Sequence, residues 1–485
     1  MYDLLIKNSS TGDIAIKDGL ITKIAPKIDT PARQAIDASG LVVSPGFIDI
    51  HRHADAAVFR PGFGTAELAQ GVTTIINGNC GLSIAPLSAA WREDILRYLR
   101  PVIGTLPESI RFESFSEYLA EVEKLPLSLS FGMNIGNGAM RMAASGFEMD
   151  PDIPRIHQYL EDALEAGAFG VSLGLIYMPE CKYDVDGLVK ALAPISGTGV
   201  PLVTHVRGEG DLLIPSLEEV IAVARRLDTP LHISHLKAVG KRNWGEIEKA
   251  LKLLDDARAS GLRVTCDVYP WTAGCTQLAQ VLPPQYLEGG LKKTTERLKD
   301  PEQRKRCRDI LESPQSSFEN QIHLIGWENI MVGGKFITET ARERGIDPYE
   351  CAFDILVEEG CNVSMVNFIA CEEDIEMIIR YPHSFIASDS IYQEGGLAHP
   401  RRFGTFAKVL ESKILPLEQA LWKFTTGPAQ AFNIPNKGQL AVGYDADIVI
   451  FDPKSVRNAA DYTAPETMPE GIEYVFAHGK VLRRA

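Results

Sequence analysis

The 485-residue sequence lacks any apolar run of about 18 residues, the length a helix needs to cross a bilayer, which excludes a membrane-spanning helix. Its opening, MYDLLIKNSSTGD, lacks the basic stretch and apolar core of a secretory leader, so no signal peptide is expected. Cysteine pairing motifs are missing as well: the eight cysteines are scattered and none forms C-x-x-C. A disulfide framework is therefore not expected, and a reducing cytoplasm is the simplest setting. Positive charge is in short supply, with 49 Lys and Arg against 64 Asp and Glu, a net charge of −15. Phosphate backbones and anionic lipid repel such a surface, so neither nucleic acid nor a membrane is expected as a partner. A small anionic substrate stays compatible, because a few cations can reverse the field inside a cleft. No internal repeat or low-complexity tract stands out.

What is present is a large apolar content, 45% of residues, ample for a sizeable core. Length alone suggests about three domains at roughly 150 residues each, but α/β barrels run to about 250 residues as one unit. Both termini read as short strands broken by Gly, Asp and Asn: GDIAIKDGLITKIA near the start, GYDADIVIFDP and GIEYVFAHGKVLRRA near the end. The alternation predicts one small β domain, 1–43 plus 437–485, built from both ends of the chain. Between them, β-rich runs alternate with helical patterns, the rhythm of a parallel sheet with crossover helices. The strands fall at 43–51, 73–79, 127–136, 167–175, 201–206, 230–236, 262–270 and 384–389, with clear helices at 217–227 and 245–261. Eight strands predict an α/β fold, a closed (β/α)8 TIM-like barrel over 44–436; an open doubly wound sheet is the alternative. The stretch from about 276 to 382 is too long for an ordinary connection and reads as a helical insertion near the barrel mouth.

Six candidate metal ligands lie at the C-terminal ends of these strands, where barrel enzymes keep their active sites. His51 and His53 form H-x-H after the first strand, Cys80 follows the second, His205 and His235 close the fifth and sixth, and Asp389 ends the eighth. Singly each is weak; jointly they point to a metal centre. A lone histidine is more often a hydrogen-bonded structural residue, and His157, His323 and His478 are read so. His232, three residues from His235, is expected on the opposite side of its strand, facing the helix layer. Seven of the cysteines are read as small buried hydrophobes. Cys80 differs because NGNCGLS is a glycine-flanked turn leaving a strand, able to offer a thiolate to a metal.

The segments SPGFIDIHRH (44–53), GVTTIINGNCG (71–81), GLIYMP (174–179), THVRGEG (204–210), HISHLK (232–237), DVYPWTAGCTQL (267–278), SDS (388–390) and HPRRFGTF (399–406) resemble those of the N-acyl-D-amino-acid deacylase (D-aminoacylase) family of metal-dependent amidohydrolases. The resemblance spans nearly the whole chain. It implies a tightly bound zinc on Cys80, His205 and His235, with the cysteine in place of the carboxylated lysine of many relatives; the fourth strand indeed has no lysine. It also implies a second, weaker metal position lined by His51, His53 and Asp389. Lys237 and Arg401, assisted by Tyr177 and Tyr269, would hold the α-carboxylate of an N-acyl amino acid. Asp389 is the expected catalytic acid and base, taking a proton from the attacking water and passing it to the leaving nitrogen. Leu236, Asn137, Cys275 and Ser390 depart from the family pattern, and all four are expected near the substrate pocket. The competing readings are a cyclic-amide hydrolase of hydantoinase or dihydroorotase type, and a catalytically silent scaffold on the same fold.

Overall fold

The computed structural model describes residues 1–147, 150–313, 318–393 and 398–484. Its centre is a parallel barrel. In chain order the barrel strands are Phe47–Asp49, Val72–Asn77, Ser130–Met133 continuing as Ile135–Gly136, Val171–Gly174, Leu202–His205, Leu231–Ile233, Val264–Val268 and Ser384–Ile386. The first three pair in one ladder, and the end of the third carries a second ladder through to the eighth. The ring closes just beyond the strand ends. Asp389 N–H donates to the His51 carbonyl at 2.9 Å and His53 N–H to the Ser390 carbonyl at 3.0 Å. Closure thus places three of the six candidate ligands on one seam.

The strands are short because both faces are buried. Ile48, Ile50, Ile76, Val203, Phe385 and Ala387 fill the interior, and Phe432 and Ile434 pack against them. Phe47, on the other face, packs on Phe406 and Phe424 of the helix layer. The helices follow from their own periodicity: in Leu213–Arg226 the buried residues include Leu213, Leu217, Val220 and Ala224, spaced three or four apart on one face. Arg225 and Arg226 sit in its last turn, where the helix dipole favours cations.

The two ends of the chain form two four-stranded sheets, one from 2–37 and one joining Val42–Pro45 to Ile448–Phe451, Ile472–Ala477 and Lys480–Arg484. Alternate residues Leu4, Ile6, Ile14 and Ile16 of the first meet Ile448, Ile450 and Phe476 of the second in a shared core, a small β-sandwich. Fully burying each such side chain contributes about 1.5–3 kcal/mol.

The insertion carries the expected helices, among them Gly290–Lys299, Pro301–Glu312 and Pro348–Glu358. It also carries a sheet that the sequence pattern did not announce. Ala273–Gln277 pairs antiparallel with Ser364–Phe368, which pairs in turn with Ile330–Val332. Helix Glu372–Arg380 contacts the eighth strand and helix Ile247–Ala259, and so belongs to the barrel's own layer. Among the described residues no helix is long and apolar enough to cross a membrane.

Candidate metal centre

The turn after the second strand is built for close approach. A Cβ at Gly78 would collide with the Asn134 carbonyl, and one at Gly81 with Glu180 Oε2. Ser172 Oγ, behind the turn, accepts from Gly81 N–H at 3.0 Å and donates to the Gly78 carbonyl at 2.6 Å. Cys80 between them has φ +55°, and His235 and Asp389 have φ +36° and +48°. Left-handed backbone at non-glycine residues costs energy and concentrates at functional sites. Here it turns three side chains into one mouth.

All six candidate ligands meet there. Cys80 Sγ lies 3.4 Å from both His51 Nε2 and His235 Nε2. Asp389 Oδ1 lies 3.3 Å from His51 Nε2 and 3.3 Å from His53 Nε2. The His205 and His235 rings meet edge to face at 4.4 Å between centroids. Ligand atoms group within 4.8 Å of one another in three overlapping sets: His51, Cys80 and His235; His51, His53 and Asp389; and His205, Glu209 and His235. Burial opposes ionising the Cys80 thiol, but His51 and His235 outweigh it and hold the thiol well below its usual range. Burial likewise opposes the Asp389 carboxylate, and Arg401, foremost, with His51 holds it well below the usual carboxylate range.

The residues behind the ligands were not singled out in the sequence. Asp267 Oδ2 lies 3.0 Å from His51 Nδ1 and 2.9 Å from His232 Nε2, while Oδ1 accepts from His235 N–H at 2.8 Å. A carboxylate on Nδ1 fixes the ring so that Nε2 faces the site. His232 therefore does not face the helix layer, as strict alternation had it. In register with Val203 and Thr265, it lies inside the barrel, stacked on Phe385 and against Phe432. Alternation fails because the positive φ of His235 breaks the two-residue period. Glu209 lies 3.1 Å from His235 Nδ1 and 2.6 Å from Lys237 Nζ. Its signal was the acid in THVRGEG, four residues beyond His205.

The expected anchors line the same cleft. Arg401 Nη1 pairs with Asp389 Oδ2 at 2.7 Å, and its guanidinium lies 4.8 Å from the Tyr269 ring centre. Lys237 lies 5.8 Å from the same ring. Tyr177 sits beside His205 and shares a 3.0 Å hydrogen bond with Thr276. Of the four departures from the family pattern, only Cys275 lines the cleft. Asn137 instead donates to Glu180 Oε1 at 2.9 Å, behind the cysteine turn. Leu236 and Ser390 are buried outside the lining. The loop from Ser390 to His399 lies partly outside the described residues.

Glu180 yields a stability prediction. Burial raises its carboxyl to about 7, against the lowering effect of Asn137 and of Gly174 N–H, from a usual 4.5. The folded protein then binds this proton more tightly than the unfolded chain, so stability falls as pH rises from about 4.5 to 7. The loss amounts to about 3 kcal/mol at most. Denaturant unfolding at pH 5 and 8 should show this fall in the wild type and much less of it in Glu180→Gln; equal pH dependence in both would contradict the reading.

The donor set fits a metal ion. Both ring nitrogens of buried His205 lack a hydrogen-bond partner among the described residues. An unsatisfied buried polar atom costs about 1–3 kcal/mol, which a ligand bond offsets. Imidazoles with one thiolate suit a borderline-soft divalent ion such as zinc. A closed α/β barrel with this cluster at its C-terminal mouth defines the class: a metal-dependent hydrolase of the amidohydrolase kind. Comparison agrees. A profile described as "Amidohydrolase family" matches residues 399–483. The chain is 32% identical to a D-aminoacylase of Alcaligenes xylosoxydans xylosoxydans over 98% of its own length and 92% of the relative's. It is 30% identical to that organism's N-acyl-D-aspartate deacylase, over 97% and 87%. A crystal structure of the N-acyl-D-glutamate deacylase of Bordetella bronchiseptica, complexed with zinc and a phosphonate inhibitor, superposes with a TM-score of 0.83 at 26% identity, covering 99% of this chain and 96% of that one. The chain belongs to the N-acyl-D-amino-acid deacylase (D-aminoacylase) family of metal-dependent amidohydrolases.

Proposed function

We propose that the protein is a zinc-dependent deacylase that hydrolyses the amide bond of N-acyl-D-amino acids, releasing a carboxylate and a free D-amino acid. The observation that carries this is the meeting, in one cleft, of the ligand cluster with Asp389, Arg401 and Lys237. Cys80, His205 and His235 would hold the tight zinc, and His51, His53 and Asp389 a weaker second position. Zinc bound there acidifies water and polarises the scissile carbonyl.

The chain's own residues supply the rest. Asp389 is kept ionised by Arg401, so it can take the proton of the attacking water. Oδ2 is held by Arg401, leaving Oδ1 toward His51 and His53 to carry that proton to the departing nitrogen. Asp267 and Glu209 fix the His51 and His235 rings from behind. Lys237 and Arg401, both beside the Tyr269 ring, draw in the α-carboxylate, and Tyr177 closes the wall beside His205. Cyclic-amide chemistry is disfavoured because the fourth strand, Val171–Gly174, offers no bridging lysine. A silent scaffold has no use for three strained ligand turns.

Lys237→Ala and Arg401→Ala should each raise KM about 10–100-fold, the size of one lost charge-assisted contact. Arg401→Ala should also lift the acidic limb of the pH–rate profile, since Asp389 loses the cation that depresses its pKa. Equal losses on substrates without an α-carboxylate would remove the anchoring role. The function itself is tested by a screen of N-acetyl-D- and N-acetyl-L-amino acids beside hydantoins. The D-series should be hydrolysed; preference for the L-series or for hydantoins would contradict the proposal.

A further inference from the structure

Two cations line the cleft, Lys237 beside Glu209 and Arg401 beside Asp389, and the α-carboxylate of the substrate takes both. No third Lys or Arg lines it among the described residues. A substrate carrying a second carboxylate on its side chain would find no free cation there. The remaining wall is partly apolar, with Leu82, Ile369 and Ile391, but it is not uniformly so. Asn367 and Gln321 also line it, and each buries an amide oxygen, Asn367 Oδ1 and Gln321 Oε1, that has no hydrogen-bond partner among the described residues. Asn367 is only 6% exposed, so water does not readily satisfy it. Gln280 adds a third carboxamide, whose Nε2 donor likewise has no hydrogen-bond partner among the described residues.

The position of Asn367 suits a side-chain subsite. It lies in strand Ser364–Phe368 of the insertion, opposite Gly274. A Cβ at Gly274 would stand 2.9 Å from Asn367 Oδ1 and 3.5 Å from the Tyr269 hydroxyl. A side chain at 274 would also press on Ile369 Cδ1 at 2.9 Å, so glycine is what lets Asn367 and Tyr269 stand together at the cleft wall. Asn367 therefore lines the same cleft as Tyr269, Lys237 and Arg401.

Resting on the deacylase reading above, we propose that the cleft selects N-acyl-D-amino acids whose side chain is neutral and ends in a hydrogen-bonding group, a carboxamide above all, with Asn367 and Gln321 as the specificity-determining residues. A carboxamide carries both donor and acceptor and satisfies an amide partner turned either way. A hydrocarbon satisfies none of these groups, and a carboxylate meets Gln280 Nε2 but sets acceptor against acceptor at Asn367 Oδ1 and Gln321 Oε1, whereas a carboxamide suits both kinds.

The test is kcat/KM of the zinc-loaded enzyme for N-acetyl-D-asparagine, -D-leucine and -D-aspartate, three side chains of nearly one shape, repeated with D-glutamine, D-methionine and D-glutamate. The carboxamide should exceed its hydrocarbon counterpart by about tenfold or more, with the carboxylate lowest. Asn367→Leu should reverse the order toward leucine at unchanged zinc content. Gln321→Leu, at the start of a short helix on the insertion, makes the same test should Asn367→Leu not fold. Preference for leucine or aspartate in the wild type, or an unchanged order in the folded variants, overturns the proposal while leaving the deacylase reading intact. Hydrolysis of no N-acyl-D-amino acid at all overturns both.

Discussion

Asp389→Asn should lose at least about 10²-fold in kcat, with a much smaller change in KM, because Asn keeps the shape and cannot carry a proton. The geometry allows this separation. Asp389 Oδ1 faces His51 and His53, whereas Cys80 stands against His51 and His235. Asn should therefore leave the tight zinc in place, and the acidic limb of the pH–rate profile should vanish from the residual activity. One side effect is expected. Arg401, buried beneath Asp389, loses a charged partner, and breaking a buried ion pair costs about 3–5 kcal/mol. Thermal unfolding will register that cost, so kinetics belong at temperatures where the variant is folded. A kcat near wild type would remove Asp389 from the proton path, and loss of zinc together with activity would make it a metal ligand first.

Cys80→Ala should lose more than Asp389→Asn in metal affinity, and activity should follow the metal. Cys80 offers the one thiolate among the clustered ligands, and two histidines already favour its ionised form. Removing residues that merely orient ligands costs about 10–100-fold in metal affinity, and removing the softest donor itself should exceed that range. Zinc content after dialysis at fixed free zinc measures it. Full zinc and full activity in Cys80→Ala would refute the ligand assignment. The variant should fold, since the turn is held by Ser172 and by Asn79, whose side chain donates to the carbonyls of Arg52 and Ile76.

The barrel and the candidate ligand cluster were legible in the sequence for a physical reason. Each parallel strand is a short apolar run buried on both faces, and the residues that end it must lie at the mouth. His51, Cys80, His205, His235 and Asp389 could thus be placed without knowing how the helices pack. The residues behind them could not. The facing of His232 relative to His235 depends on a positive φ at His235, which no period-two rule anticipates, and Asp267 is a lone acid within the strand Val264–Val268, where nothing in the pattern marks it as a partner of two histidines. Glu209 sits in a loop, where pattern says little about direction. The insertion's sheet escaped because Ala273–Gln277 and Ser364–Phe368 are five residues each and pair across nearly ninety residues of chain. Asn367 was hidden with it, since a lone amide carries no motif and gains meaning only from the cleft it faces.

The most direct test of the metal-dependent deacylase account is a titration of metal-free enzyme with zinc, following hydrolysis of an N-acetyl-D-amino acid at each addition. The account predicts no turnover at zero zinc and a rise that ends near one equivalent per chain. Full turnover by enzyme shown to be free of metal would contradict it.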